Sequence, residues 1–68
     1  MSRYVEVDVE ECLRTSDKAA LLVIESEEHW VPFSQIEDNG ESLKEGYCGQ
    51  LYLTRWICDQ KDIEYSDD

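Results

Sequence analysis

"AALLVIE", residues 19–25, is a run of six apolar residues closed by an acid. It is far shorter than the roughly 18 to 20 apolar residues that a membrane-spanning helix needs. It is also shorter than most globular helices, and it contains the β-branched residues Val23 and Ile24. A short apolar run bounded by polar residues predicts a central strand covered on both faces, with a helix as the competitor. The flanking segments extend the same reading. Upstream, "RTSDK" at residues 14–18 is polar and predicts a turn. Before it, "YVEVDVE" at residues 4–10 alternates strictly, with Val5, Val7 and Val9 on one face and Glu6, Asp8 and Glu10 on the other. That period of two is the pattern of a half-buried strand.

Downstream, "ESEEHW" turns the chain and a further strand is predicted from about His29 to Ile36, with Trp30, Val31, Phe33 and Ile36 supplying packing area. Pro32 is the only proline and has no N–H to give to a ladder. It belongs at an edge, a bend or a bulge. "EDNGESLKEG" at residues 37–46 predicts an exposed loop, and "YCGQLYLT" at residues 47–54 a strand loosened by Gly49. "TRWICDQKDI" predicts a short helix with Thr54 as N-cap, docked through Trp56 and Ile57 and extended by Ile63. Both tryptophans are expected in the core, because so small a chain needs their area. The predicted fold is α+β: a small, twisted, antiparallel sheet of about four strands with one short C-terminal helix. Residues 1–65 are expected to form a single small domain and residues 66–68 a solvated tail.

The pieces "SDKAALLV" (16–23), "HWVPFSQIED" (29–38) and "GQLYLTRWICDQKDI" (49–63) together resemble a small domain found in bacteria and their phages. Its most specific element is Trp30-Val31-Pro32-x-Ser34-Gln35-Ile36, followed by a strand that ends in a Trp-bearing helix. The resemblance spans roughly residues 14–63 and implies a fold and a phage-like setting, not a reaction. The chain departs from it at Ser26-Glu27-Glu28, where an Asp-Gly turn is expected.

With 6 Lys and Arg against 17 Asp and Glu, the chain carries a net charge of −11. Such a charge repels nucleic acid and anionic membranes and favours a basic partner, including one whose basic surface normally holds nucleic acid. No apolar leader segment is visible at the N-terminus, and a cytoplasmic location in a bacterial host is expected. Cys12, Cys48 and Cys58 form no CxxC pair, so they are expected as reduced, metal-free thiols. No G-x-S-x-G, P-loop or HExxH pattern occurs, and His29, the one imidazole, is expected as an exposed strand or turn residue. No cofactor and no catalysis are expected.

The charge carries the functional expectation. Glu6, Asp8 and Glu10 would project about 6.6 Å apart along one strand face. Glu25, Glu27, Glu28, Glu37 and Asp38 would flank the adjacent hairpin and extend the negative surface. One reading is an acidic inhibitor from a phage or mobile element, similar to anti-CRISPR proteins in size and acidity, that blocks a basic nucleic-acid-binding surface. A second is a non-catalytic protein–protein adaptor or assembly module held by apolar contacts, and a third is a small structural domain that forms a homodimer.

Overall fold

The computed structural model describes residues 3–41 and 43–65. The apolar run forms strand β3 (Ala19–Ile24), the middle of a three-stranded antiparallel sheet with β2 (Glu11–Thr15) and β4 (Glu27–Pro32). A second, two-stranded antiparallel sheet pairs β1 (Tyr4–Val9) with β5 (Gly49–Thr54). Five strands in two sheets thus replace the single sheet of about four that the sequence predicts. The extra strand is β2, whose only apolar residues, Cys12 and Leu13, are adjacent and give no alternation. A bulge between Cys12 and Arg14 accommodates them. The predicted turn over 14–18 shrinks to residues 16–18, where Ser16 Oγ accepts from the amides of Lys18 (3.4 Å) and Ala19 (3.1 Å).

Chain continuity joins the two sheets. β1 and β2 are separated only by Glu10, whose N–H donates to the Val23 carbonyl at 2.8 Å. A strand that bends and changes sheets in this way makes a corner between packed layers. β3 is buried on one face only: Ala20, Leu22 and Ile24 point into the core, while Ala19, Leu21 and Val23 are half-buried on the other side. An antiparallel sheet needs one covered face, not two, so the expected two-sided burial is corrected.

The β3–β4 hairpin turns on Glu25 (φ 52°) and Ser26 (φ 67°). Left-handed backbone at both central residues is the type I′ arrangement, which normally selects Asn-Gly. Glu10 supports the turn, its carboxylate accepting from the Ser26 N–H at 2.8 Å. Because a left-handed conformation costs an L-residue roughly 1–2 kcal/mol and glycine little, Ser26→Gly is expected to stabilise the domain by about 1 kcal/mol. Thermal melting should rise by about 4–8 °C, with no such gain for Ser26→Ala.

β4 is an edge strand and ends at Pro32 instead of continuing to Ile36. The Phe33 N–H donates to the Lys18 carbonyl at 2.8 Å, so the alternation of the ladder leaves the Pro32 nitrogen facing outward, where no donor is required. A 3-10 turn (Phe33–Gln35) follows, and Ile36 then bridges to Leu53 on β5. The predicted loop holds a second turn, Glu37–Gly40, left-handed at Asp38 and Asn39. At Gly40 (φ 63°) an added Cβ would lie 3.0 Å from the Phe33 ring. Beyond it, Gly46 donates to the Cys12 carbonyl (2.7 Å) and Cys12 to that of Tyr47 (2.8 Å), which covers the open edge of β2. β5 accordingly starts at Gly49, later than Tyr47.

Val5, Val7 and Val9 meet Leu51, Leu53, Leu22, Ile24, Val31 and Ile36 in one core. Helix α1 (Arg55–Gln60) closes it with buried Ile57 and Cys58, and Ile63 follows them inward. Thr54 caps the helix as predicted, accepting from the Ile57 N–H (3.2 Å) while donating to Gln35 Oε1 (2.6 Å). The tryptophans are corrected: Trp56 is 58% exposed and Trp30 45% exposed. Each helical residue is rotated about 100° from the next, so burying Ile57 and Cys58 turns Trp56 outward. Trp30 precedes buried Val31 on a strand and takes the opposite face.

Candidate interaction surface

The outer face of the β1–β5 sheet places Glu6 opposite Tyr52 and Asp8 opposite Gln50. The Tyr52 hydroxyl lies 3.5 Å from Glu6 Oε2. A groove of about 260 Å³ lies on the β1 side, lined by Glu6, Asp8 and Glu10, by Ile24 and Glu25 at the hairpin, and by Glu64 and Tyr65. A second groove of about 260 Å³ includes Tyr52 and Gln50 of β5 together with Glu37, Asp38 and Glu41. The Glu6–Tyr52 pair therefore joins two acidic grooves across one sheet face, and among the described residues no Lys or Arg lines either. Tyr65 at the end of the first groove lies under the Arg55 guanidinium, 5.9 Å from the ring centre.

Electrostatics within the first groove are strained. Glu25 hydrogen-bonds the Glu64 carboxyl, and this bond, then the Glu64 charge, then desolvation and the charges of Glu10 and Glu27, raise the Glu25 carboxyl above its usual range.

Of the residues singled out in the sequence, Glu6, Asp8, Glu10 and Glu25 converge on the first groove, and Glu37 and Asp38 on the second. Glu27 and Glu28 lie on β4 and line neither. Glu27 instead faces His29, its carboxylate 3.8 Å from Nε2, and that imidazole is half-buried where an exposed one was expected. Glu10 is both a groove residue and the acceptor that holds the Ser26 turn. Sequence reasoning missed Glu41 and Glu64. Glu64 reaches the groove because Asp62 (φ 54°) reverses the chain after α1 and buried Ile63, donating to the Cys58 carbonyl at 2.8 Å, anchors it. A local period carries no signal for such a return.

No known protein family, curated protein or solved structure matches this chain. Among the described residues no cluster of three His, Cys, Asp or Glu side chains is arranged to hold a metal ion, and no helix is long and apolar enough to cross a membrane.

The three cysteines are free thiols, Cys12 and Cys58 buried and Cys48 exposed. Burial, aided by the negative charge of Asp59, pushes the Cys58 thiol from 9.0 up to about 11. Burial likewise raises Cys12, with Glu45 and Glu11 adding to it. A thiol whose folded pKa exceeds its unfolded one stabilises the fold below the unfolded value, and that contribution is lost as pH rises through the folded value. Stability should therefore be level on this account below about pH 9 and fall between pH 9 and about 11. Alkylation of the folded protein at pH 8 should label Cys48 alone, with Cys12 and Cys58 reacting only in denaturant, as read by mass spectrometry.

Proposed function

We propose that this protein is a non-catalytic acidic inhibitor that occupies a basic, nucleic-acid-binding surface of a host protein or nucleoprotein complex. The observation that carries the reading is the pair of acidic grooves joined at Glu6 and Tyr52, with no basic residue among the described ones that line them. A net charge of −11 is a bulk property, but the eight acids that line the two grooves form a pattern that a row of Lys and Arg can recognise. Single exposed ion pairs contribute roughly 0–1 kcal/mol, so affinity and association rate rest on many together. Tyr52, 46% exposed between the grooves, adds the kind of aromatic contact enriched in binding hot spots. The resemblance to phage domains supports an origin in a phage or mobile element and action in the cytoplasm of a bacterial host, as anti-CRISPR proteins act.

The experiment is capture from a bacterial host lysate at about 50 and about 500 mM salt, followed by challenge of the captured partner with duplex DNA and with RNA. Screening shortens to a few ångströms at high salt, so the reading expects steep loss of capture and displacement by nucleic acid. Capture that ignores salt and nucleic acid overturns it. The adaptor reading then takes its place, and it too has a specific observation behind it: Trp30, Tyr52 and Trp56 are all exposed.

A further inference from the structure

A different face of the molecule carries an independent inference. On the outer side of the β2–β3–β4 sheet, β3 presents Ala19, Leu21 and Val23, all half-buried, in one line. Trp30 lies opposite Leu21 on β4, and Pro32 opposite Ala19. Val23 is flanked on both sides by acids, with Glu11 opposite it on β2 and Glu28 opposite it on β4. Pro32 on this face is half-buried and Trp30 is exposed, while α1 packs against β5 of the other sheet. We propose that this face receives a basic amphipathic helix of a partner protein, lying along β3 with its apolar stripe on Leu21, Val23 and Trp30 and its Lys or Arg flanks on Glu11 and Glu28.

Dimensions favour this occupant. Two interstrand spacings separate Glu11 from Glu28 by about 10 Å, close to the roughly 10 Å diameter of a helix. Cations on both sides of an apolar stripe would therefore reach both acids at once. The face itself is roughly 14 Å by 13 Å, close to 200 Å². That is about a quarter of the ~800 Å² each partner contributes to a standard interface, enough for a short segment and too little for a second copy. Two copies would also bring together chains of net charge −11 each. An added strand is disfavoured because the free edge, β4, carries Glu27, Glu28 and Pro32, residues that discourage edge pairing. Arg14, opposite Leu21 on β2, sets the polarity, so the cationic end of the helix belongs at the Val23 end of the strip.

The test uses the full chain in a Trp56→Phe background, so that Trp30 alone reports by fluorescence. The probe is a synthetic 18-residue peptide of leucine and lysine with leucine at helical period. Its controls are a scrambled peptide of the same composition and a lysine-only peptide of equal charge. The expected result is a saturable blue shift of Trp30 with the patterned peptide, at least tenfold tighter than with either control. Leu21→Gln, at a half-exposed position whose loss leaves circular dichroism unchanged, should weaken it tenfold or more. Glu11→Gln with Glu28→Gln should weaken it and flatten its salt dependence. The pair Glu6→Gln and Asp8→Gln, on the other sheet, should leave it unchanged whether or not the acidic grooves bind a nucleic-acid-binding partner. Equal binding of patterned and scrambled peptides overturns the proposal, as does indifference to Leu21→Gln. Sedimentation showing a dimer that Leu21→Gln dissociates would give the face to a second copy and overturn it too.

Discussion

Leu53→Ala is expected to lose about 3–5 kcal/mol, the usual range for a fully buried leucine, and Trp56→Ala to change stability by less than about 0.5 kcal/mol. The contrast reverses what side-chain size alone suggests. Leu53 is completely buried and stands where three parts of the fold meet. It pairs with Val5 across the β1–β5 ladder, bridges to Ile36 beyond the 3-10 turn, and immediately precedes Thr54, the helix cap. Truncating it leaves a cavity that no single neighbour can close, because its surroundings are fixed by two ladders and a cap. Trp56 has 58% of its surface in solvent and leaves the seal to Ile57 and Cys58. A domain of this size holds only about 3–10 kcal/mol in all, so Leu53→Ala is expected to be largely unfolded at 37 °C. Urea denaturation followed by circular dichroism measures both. A Leu53→Ala midpoint equal to the parent's, or a Trp56→Ala loss above about 2 kcal/mol, would mean that α1 docks through a different face.

The same contrast explains how far the sequence could be read. Elements with a clear local pattern were legible: β1 from Val5, Val7 and Val9, β3 from its apolar run, and α1 from Thr54 followed by Ile57. β2 was not, because a bulge destroys the period and its partners lie in β3 and in the loop at residues 46–47. The orientation of Trp56 follows from which helical neighbours are buried, a tertiary fact. The candidate surface divides in the same way. Glu6 and Asp8 share a face by strand alternation alone. Glu64 joins them only through the reversal at Asp62, and Glu27 and Glu28 drop out because the β3–β4 hairpin carries them to an edge. The turn shows a local rule overridden: Glu25 and Ser26 adopt backbone that favours glycine, with the Glu10 carboxylate at 2.8 Å in support.

Reversing charge on the grooves should separate the acidic-inhibitor reading from the adaptor reading. The informative variant combines Glu6→Lys, Asp8→Lys and Glu64→Lys. Glu10 is left in place because its carboxylate holds the Ser26 amide, so changing it would confuse binding with folding. None of the three substituted side chains is part of the core, and replacing Glu64 removes the like charge beside Glu25. The fold is therefore expected to survive. Each reversal turns an attraction of up to about 1 kcal/mol into a repulsion after screening, so together they should weaken binding by about 2–3 kcal/mol, roughly 30- to 150-fold. Most of the loss should appear in the association rate and should shrink as salt rises. Asp17→Lys with Glu27→Lys gives the spatial control: its change in net charge is two-thirds as large, yet both residues are exposed and lie outside both grooves. If only total charge matters, the control should lose about two-thirds as much binding energy. If the β1–β5 face makes the contact, it should lose far less. Competition against labelled nucleic acid on the captured partner measures both variants. A triple variant that competes as well as the parent would remove the acidic face from the contact and leave the exposed aromatics to make it.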